Sequence, residues 1–105
     1  MIRLLFFSIF TAVALTSCVT ADDVPVEKYI YAKTAYDAAV AAESSKHAAR
    51  WIYLAEKHYK RGEVLFKERY YEEADKEFTL AQKYAEKAET LSRLKQFSSV
   101  GGADY

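Results

Sequence analysis

Apolar residues recur along this chain at the three-and-four spacing of amphipathic helices, in three successive stretches. In the first, Ala32, Ala35, Tyr36, Ala39 and Ala42 share one face. In the second, Ala48, Ile52, Ala55, Tyr59, Gly62 and Phe66 form the stripe, widened by Trp51, Leu54 and Leu65. Ala74, Phe78, Ala81, Ala85 and Ala88 carry the same rhythm through the third, with Tyr71, Tyr84 and Leu91 beside them. The pattern predicts helices over 26–43, 46–68 and 71–96. Pro25 suits the approach to a first helical turn. Ser44 and Ser45 interrupt the pattern, and Ser45 is placed to cap the second helix. No Gly or Pro marks the break at 69–70. An unbroken helix from 46 to 96 would be about 75 Å long and leave its seam uncovered, so the chain is expected to fold back there. Small residues line each seam, which lets helices approach closely. The fold class expected is all-α, a small three-helix antiparallel bundle over 26–96. The stretch 97–105 has two glycines and no periodicity, and is expected to be a flexible tail.

Charges lie opposite the apolar stripes. Glu56 with Lys60, Glu63 with Lys67, Glu72 with Lys76 and Glu89 with Arg93 are spaced to pair along a helix, each worth a few tenths of a kcal/mol. The whole chain carries 15 basic and 15 acidic residues. Such a near-neutral balance is not expected to give the electrostatic footprint that nucleic acid requires. Nor does it contain the polybasic run that docks a chain on anionic headgroups. A single cysteine excludes both an intramolecular disulfide and a four-thiolate zinc site.

The N-terminal residues follow a different logic. Arg3 precedes an apolar stretch from Leu4 to Ala14, the layout of a secretory signal. A permanent span needs about 20 apolar residues, and Thr16, Ser17, Thr20, Asp22 and Asp23 cut this one short. Leu15-Thr16-Ser17-Cys18 resembles the bacterial lipobox, whose small residues let a peptidase cut before the cysteine. The resemblance implies cleavage between Ser17 and Cys18 and a covalent lipid on Cys18. Two or more acyl chains hold firmly, at about 0.8 kcal/mol per buried CH₂. Residues 1–17 are thus expected to be a signal peptide and 18–25 a lipidated tether. Val19, where an Asp would favour inner-membrane retention, implies the outer membrane, with the protein facing the periplasm.

Two further resemblances concern the helices. From Glu68 to Ala81, Tyr71, Ala74, Phe78 and Ala81 fall at the aromatic, small, aromatic and small positions of a tetratricopeptide repeat. Gly62 falls on that motif's first-helix small position, while His58 and Arg61 depart from its tryptophan and leucine. From Pro25 to Leu94 the chain resembles the small Ala-rich bacterial lipoprotein family catalogued as domain of unknown function 4398. The residues are Tyr36-Asp-Ala-Ala, Leu54-Ala-Glu56, Tyr70-Tyr-Glu-Glu-Ala74 and Ala81 to Ala88. The first resemblance implies a helical hairpin plus one helix, the second a helical envelope lipoprotein without an assigned activity.

No catalytic or metal-ligating set emerges. Glu43 and His47 are four apart but straddle the Ser44–Ser45 break; His58 lies beside the seam of the second stripe. Glu72 and Glu73 diverge around a helix and read as first-turn charges favoured by its dipole. No cofactor and no small-molecule substrate are expected beyond the lipid on Cys18. Nine tyrosines are more than three short helices bury. Tyr29, Tyr31, Trp51 and Tyr53 are therefore candidates for a partner-binding patch, since tyrosine joins apolar area to a hydroxyl. The function expected is a non-enzymatic interaction or structural module at a membrane surface, with a protein partner or self-association. The alternative is a tetratricopeptide-like assembly or chaperone-type factor.

Overall fold

The computed structural model describes residues 26–102, and they fold as an all-α bundle of four helices. Helix α1 runs Val26–Ala41, the single turn α2 Ser44–His47, α3 Ala49–Lys67 and α4 Tyr71–Gly102. At 1.5 Å per residue α4 is about 48 Å long, twice α1. It is the spine against which α1 and α3 both pack. Near their starts Tyr29 meets Phe78, and beyond α1 the Ala42 carbonyl accepts from Gln96, so α1 and α4 run parallel. Trp51 stacks on Tyr84 and Phe66 packs on Tyr71, which sets α3 antiparallel to α4.

The predicted stripes are the core. Ala32, Ala35, Ala39 and Ala42 of the first, Ala48, Ala55 and Gly62 of the second, and all five residues from Ala74 to Ala88 of the third are buried. Alanine-lined seams bring backbones close, and larger side chains fill the space at either end. At one end the core gathers Tyr36, Trp51, Ile52, Tyr84 and Leu91 around alanines. At the other, Tyr29, Tyr59, Leu65 and Phe66 surround Phe78. A Cβ on Gly62 would lie 2.7 Å from the Phe78 ring, so the missing side chain is the slot into which that ring fits.

The fold-back at 69–70 is made without glycine. Arg69 takes the left-handed conformation, with φ 64°. Its amide donates to the Phe66 carbonyl at 3.1 Å, and the Tyr70 amide to Leu65 at 2.9 Å. These two bonds form a Schellman motif, a position usually held by Gly. Glu43 (φ 57°) makes the other corner, its amide donating to Val40 at 3.0 Å.

Three expectations are corrected. The stretch 46–68 is not one helix: Ser44–His47 form a separate turn, and Ala48, with φ −145°, opens α3. Ser45 is no cap, because it lies exposed within that turn, and no side chain caps α3. The corner is held from outside instead. Ser44 and Ser92 are fully buried and share a hydrogen bond of 2.9 Å, while the Ser92 hydroxyl lies 2.7 Å from the Ala88 carbonyl. Gln96 donates to Ala42 at 2.8 Å, and Lys95 to the His47 carbonyl. Finally, the 97–105 segment continues the helix to Gly102; residues 103–105 lie outside the described part, as do 1–25. Phe97 is 78 % exposed, so helix propagation rather than packing carries α4 past Gln96.

Replacing Gly62 with Ala should cost about 1–3 kcal/mol by overpacking the Phe78 slot, read from urea denaturation. Arg69→Gly should act in the opposite direction. Relief of the left-handed strain should raise stability by roughly 0.5–1 kcal/mol in the same assay.

Candidate functional site

The structure distributes the four candidate aromatics among different surroundings. Tyr29 is half-buried among Tyr59 at 6.0 Å, Phe66 at 6.3 Å and Phe78 at 5.4 Å between ring centroids. Trp51 stacks on Tyr84 at 6.0 Å, with the Lys87 ammonium 3.9 Å above its ring. Those two aromatics are committed to packing. Tyr31 stays exposed on α1, where its hydroxyl donates to Glu27 at 2.8 Å. Tyr53, 65 % exposed, stands on the outer face of α3 beside Glu56, Lys57 and Lys60. The expectation of one continuous patch is therefore corrected: helix phase turns Tyr29 inward and its neighbour-but-one Tyr31 outward, and separates Trp51 from Tyr53 likewise. Ser17 and Cys18 lie outside the described residues.

A polar chain crosses the α3–α4 seam that sequence reasoning did not assemble. His58 stacks on Tyr84 at 5.5 Å, continuing the ladder from Lys87 through Trp51. Its Nδ1 lies 2.6 Å from Glu77 Oε2, and the other oxygen of Glu77 is 3.7 Å from Arg61. A carboxylate only accepts, so the imidazole proton sits on Nδ1. Residues 58 and 77 are 19 apart, and no local spacing links them. Their one sequence signal is that both flank the apolar stripes of neighbouring helices. Glu43 and His47, by contrast, approach to 4.0 Å across the corner. Of the four predicted helix pairs, Glu56–Lys60, Glu72–Lys76 and Glu89–Arg93 close at 2.8, 3.8 and 2.9 Å. Among the described residues Glu63 and Lys67 do not close to 4 Å.

Open cavities on the surface include three bounded by described residues. The first, about 430 Å³, runs between α1 and α4 and is lined by Ile30, Tyr31, Thr34, Ala38, Gln82 and Glu86 among others. A second, about 380 Å³ and mostly apolar, lies at the start of α1 between Val26, Tyr29, Glu63, Phe66 and Lys67. The third, about 360 Å³, is the α3 surface around Tyr53. Among the described residues no three His, Cys, Asp or Glu side chains are grouped to hold a metal ion, and no helix is long and apolar enough to cross a membrane. Every buried side-chain polar atom described has a hydrogen-bond partner.

Burial pushes the Tyr59 phenol above the usual tyrosine range, and the adjacent Tyr29 acts in the same sense. Burial likewise raises Tyr36, with Glu56 nearby adding to it. Hydrogen bonding to Glu27 raises the exposed Tyr31. No family model, curated protein or solved structure matches this chain, so the two helical resemblances rest on their residues alone.

The folded state holds the Tyr59 proton more tightly than the unfolded chain, whose tyrosines titrate near pH 10. The stability due to this group is complete below about pH 10 and declines as pH rises above it. Urea midpoints should therefore fall between about pH 10 and 12, and Tyr59→Phe, which keeps the ring, should flatten that fall.

Proposed function

We propose that the protein is a lipid-anchored component of the bacterial envelope, held by Cys18 at the periplasmic surface of the outer membrane, where its bundle acts as a non-enzymatic interaction or structural module. The observation that carries this reading is the register of Arg3, the Leu4–Ala14 stretch and Leu15-Thr16-Ser17-Cys18, followed within eight residues by the first helix. An anchored chain meets a partner on the same surface at high effective concentration, so a modest contact suffices. The resemblance to the Ala-rich lipoprotein family supports the same assignment.

The disposition of the aromatics favours a structural module over a tetratricopeptide-like peptide binder. Tyr29, Trp51, Tyr59, Phe66, Phe78 and Tyr84 are engaged with one another across the helix seams. A groove built to stack peptide side chains would hold such rings free. The polar groups at the α3–α4 seam are likewise paired among themselves, as His58, Glu77 and Arg61 show.

Cells fed a palmitate analogue should label the wild-type chain, and the label should follow it into the membrane fraction. Cys18→Ser should abolish both. Membrane partition that survives this substitution would sink the anchoring assignment.

A further inference from the structure

The outer face of α3 is predominantly cationic, with Glu56 at its margin. At 100° per residue, Arg50, Lys57, Lys60, Arg61 and Lys67 fall within about 120° of arc, all of them exposed. Tyr53 and Val64, 65 % and 56 % exposed, lie along the middle of the same arc. No acidic residue of α3 falls within it. Glu56 and Glu63 sit outside one edge, and Glu68, in line with the arc, lies one residue past the helix end. Glu56 engages Lys60 at 2.8 Å and Glu77 approaches Arg61 at 3.7 Å. Arg50, Lys57 and Lys67 have no carboxylate within 4 Å among the described residues. The outer faces of α1 and α4 instead mix both signs.

We propose that this face of α3 lies against a bilayer surface bearing anionic phospholipid headgroups. The face is about 27 Å long, with cations flanking the exposed Tyr53 and Val64. That is the form in which an amphipathic helix rests in an interface, Lys and Arg stems spreading outward while the apolar centre settles among the headgroups. The position of the chain's entry agrees with this orientation. Val26, the first residue of α1, lines the same cavity as Lys67 at one end of that face. Residues 18–25 span at most about 28 Å, so an anchor at Cys18 brings that end of α3 close to the membrane. This last point rests on the anchored reading above; the cationic arc does not. The linear sequence contains no basic run, and the helix period alone gathers cations spread over 18 positions onto one side.

The test is lysine footprinting of the full-length membrane-extracted protein on vesicles of phosphatidylcholine, alone or mixed with phosphatidylglycerol. Acetylation by an amine-reactive ester is read by mass spectrometry. Lys57 and Lys67 should react roughly threefold or more slowly on the mixed vesicles, while Lys76 and Lys83 on α4 serve as internal controls and stay unchanged. Protection should vanish in high salt, which screens headgroup attraction. It should also weaken in Tyr53→Ser, a substitution at a side chain that is 65 % exposed. Equal reactivity of Lys57 and Lys67 on both vesicles overturns the proposal, as does protection shared equally by Lys76 and Lys83, and as does an acidic polypeptide protecting α3 where the mixed vesicles do not. Failure of the protein to partition into phosphatidylcholine alone would count against the anchor only, since footprinting on the mixed vesicles still decides the arc.

Discussion

The contact between Gly62 and Phe78 sets the spacing of this bundle. Phe78 is the largest fully buried side chain, and its ring occupies the volume where any Cβ on residue 62 would stand. That lets α3 approach α4 closely enough for the alanine seam to exclude water along its length. Tyr29, Tyr59 and Phe66 then pack around the same ring from α1 and α3. The core is therefore made of small residues where backbones meet and of aromatics where they diverge. Close packing of this kind transmits a change at one residue to its neighbours, which is why a single methyl group at position 62 matters.

The corners show the same dependence on α4. Both turns place a non-glycine residue in the left-handed region, Glu43 and Arg69. Such residues hold only where the surroundings over-determine the conformation. At Arg69 the two Schellman bonds do so. At Glu43 the constraint comes from α4, whose Ser92, Gln96 and Lys95 reach Ser44, Ala42 and His47. The long last helix thus fixes the path of a chain segment about 50 residues earlier.

Functionally, the bundle turns most of its rings inward and leaves its distinctive surface on α3. Aromatic excess, taken alone, suggested a recognition patch of Tyr29, Tyr31, Trp51 and Tyr53. Two of these are spent on packing, and only Tyr53 stands on the outer face of α3. What surrounds it is mostly cationic, with Glu56 at the margin, an arrangement that suits the anionic surface proposed above.

Periodicity alone determined that the chain is helical, which alanines are buried and roughly where the helices end. It could do so because a helix has a fixed period, and apolar residues spaced at three and four have one way to leave water together. The proposed signal and the lipobox-like Cys18 are also local patterns read in sequence order, and they lie outside the described residues. The Ser44–Ser92 bond, the His58–Glu77 pair and the fit of Phe78 over Gly62 were not legible in that way. Each joins residues 16 or more positions apart, and which pair meets depends on the register of one helix against another. Ser45 failed as a cap because the helical turn begins at Ser44 and takes Ser45 into its interior, leaving Ala48 to open α3. The α3 arc lay between these cases: its residues were in plain sight, but only the packing of α1 and α4 decided which side of the helix they were left to face.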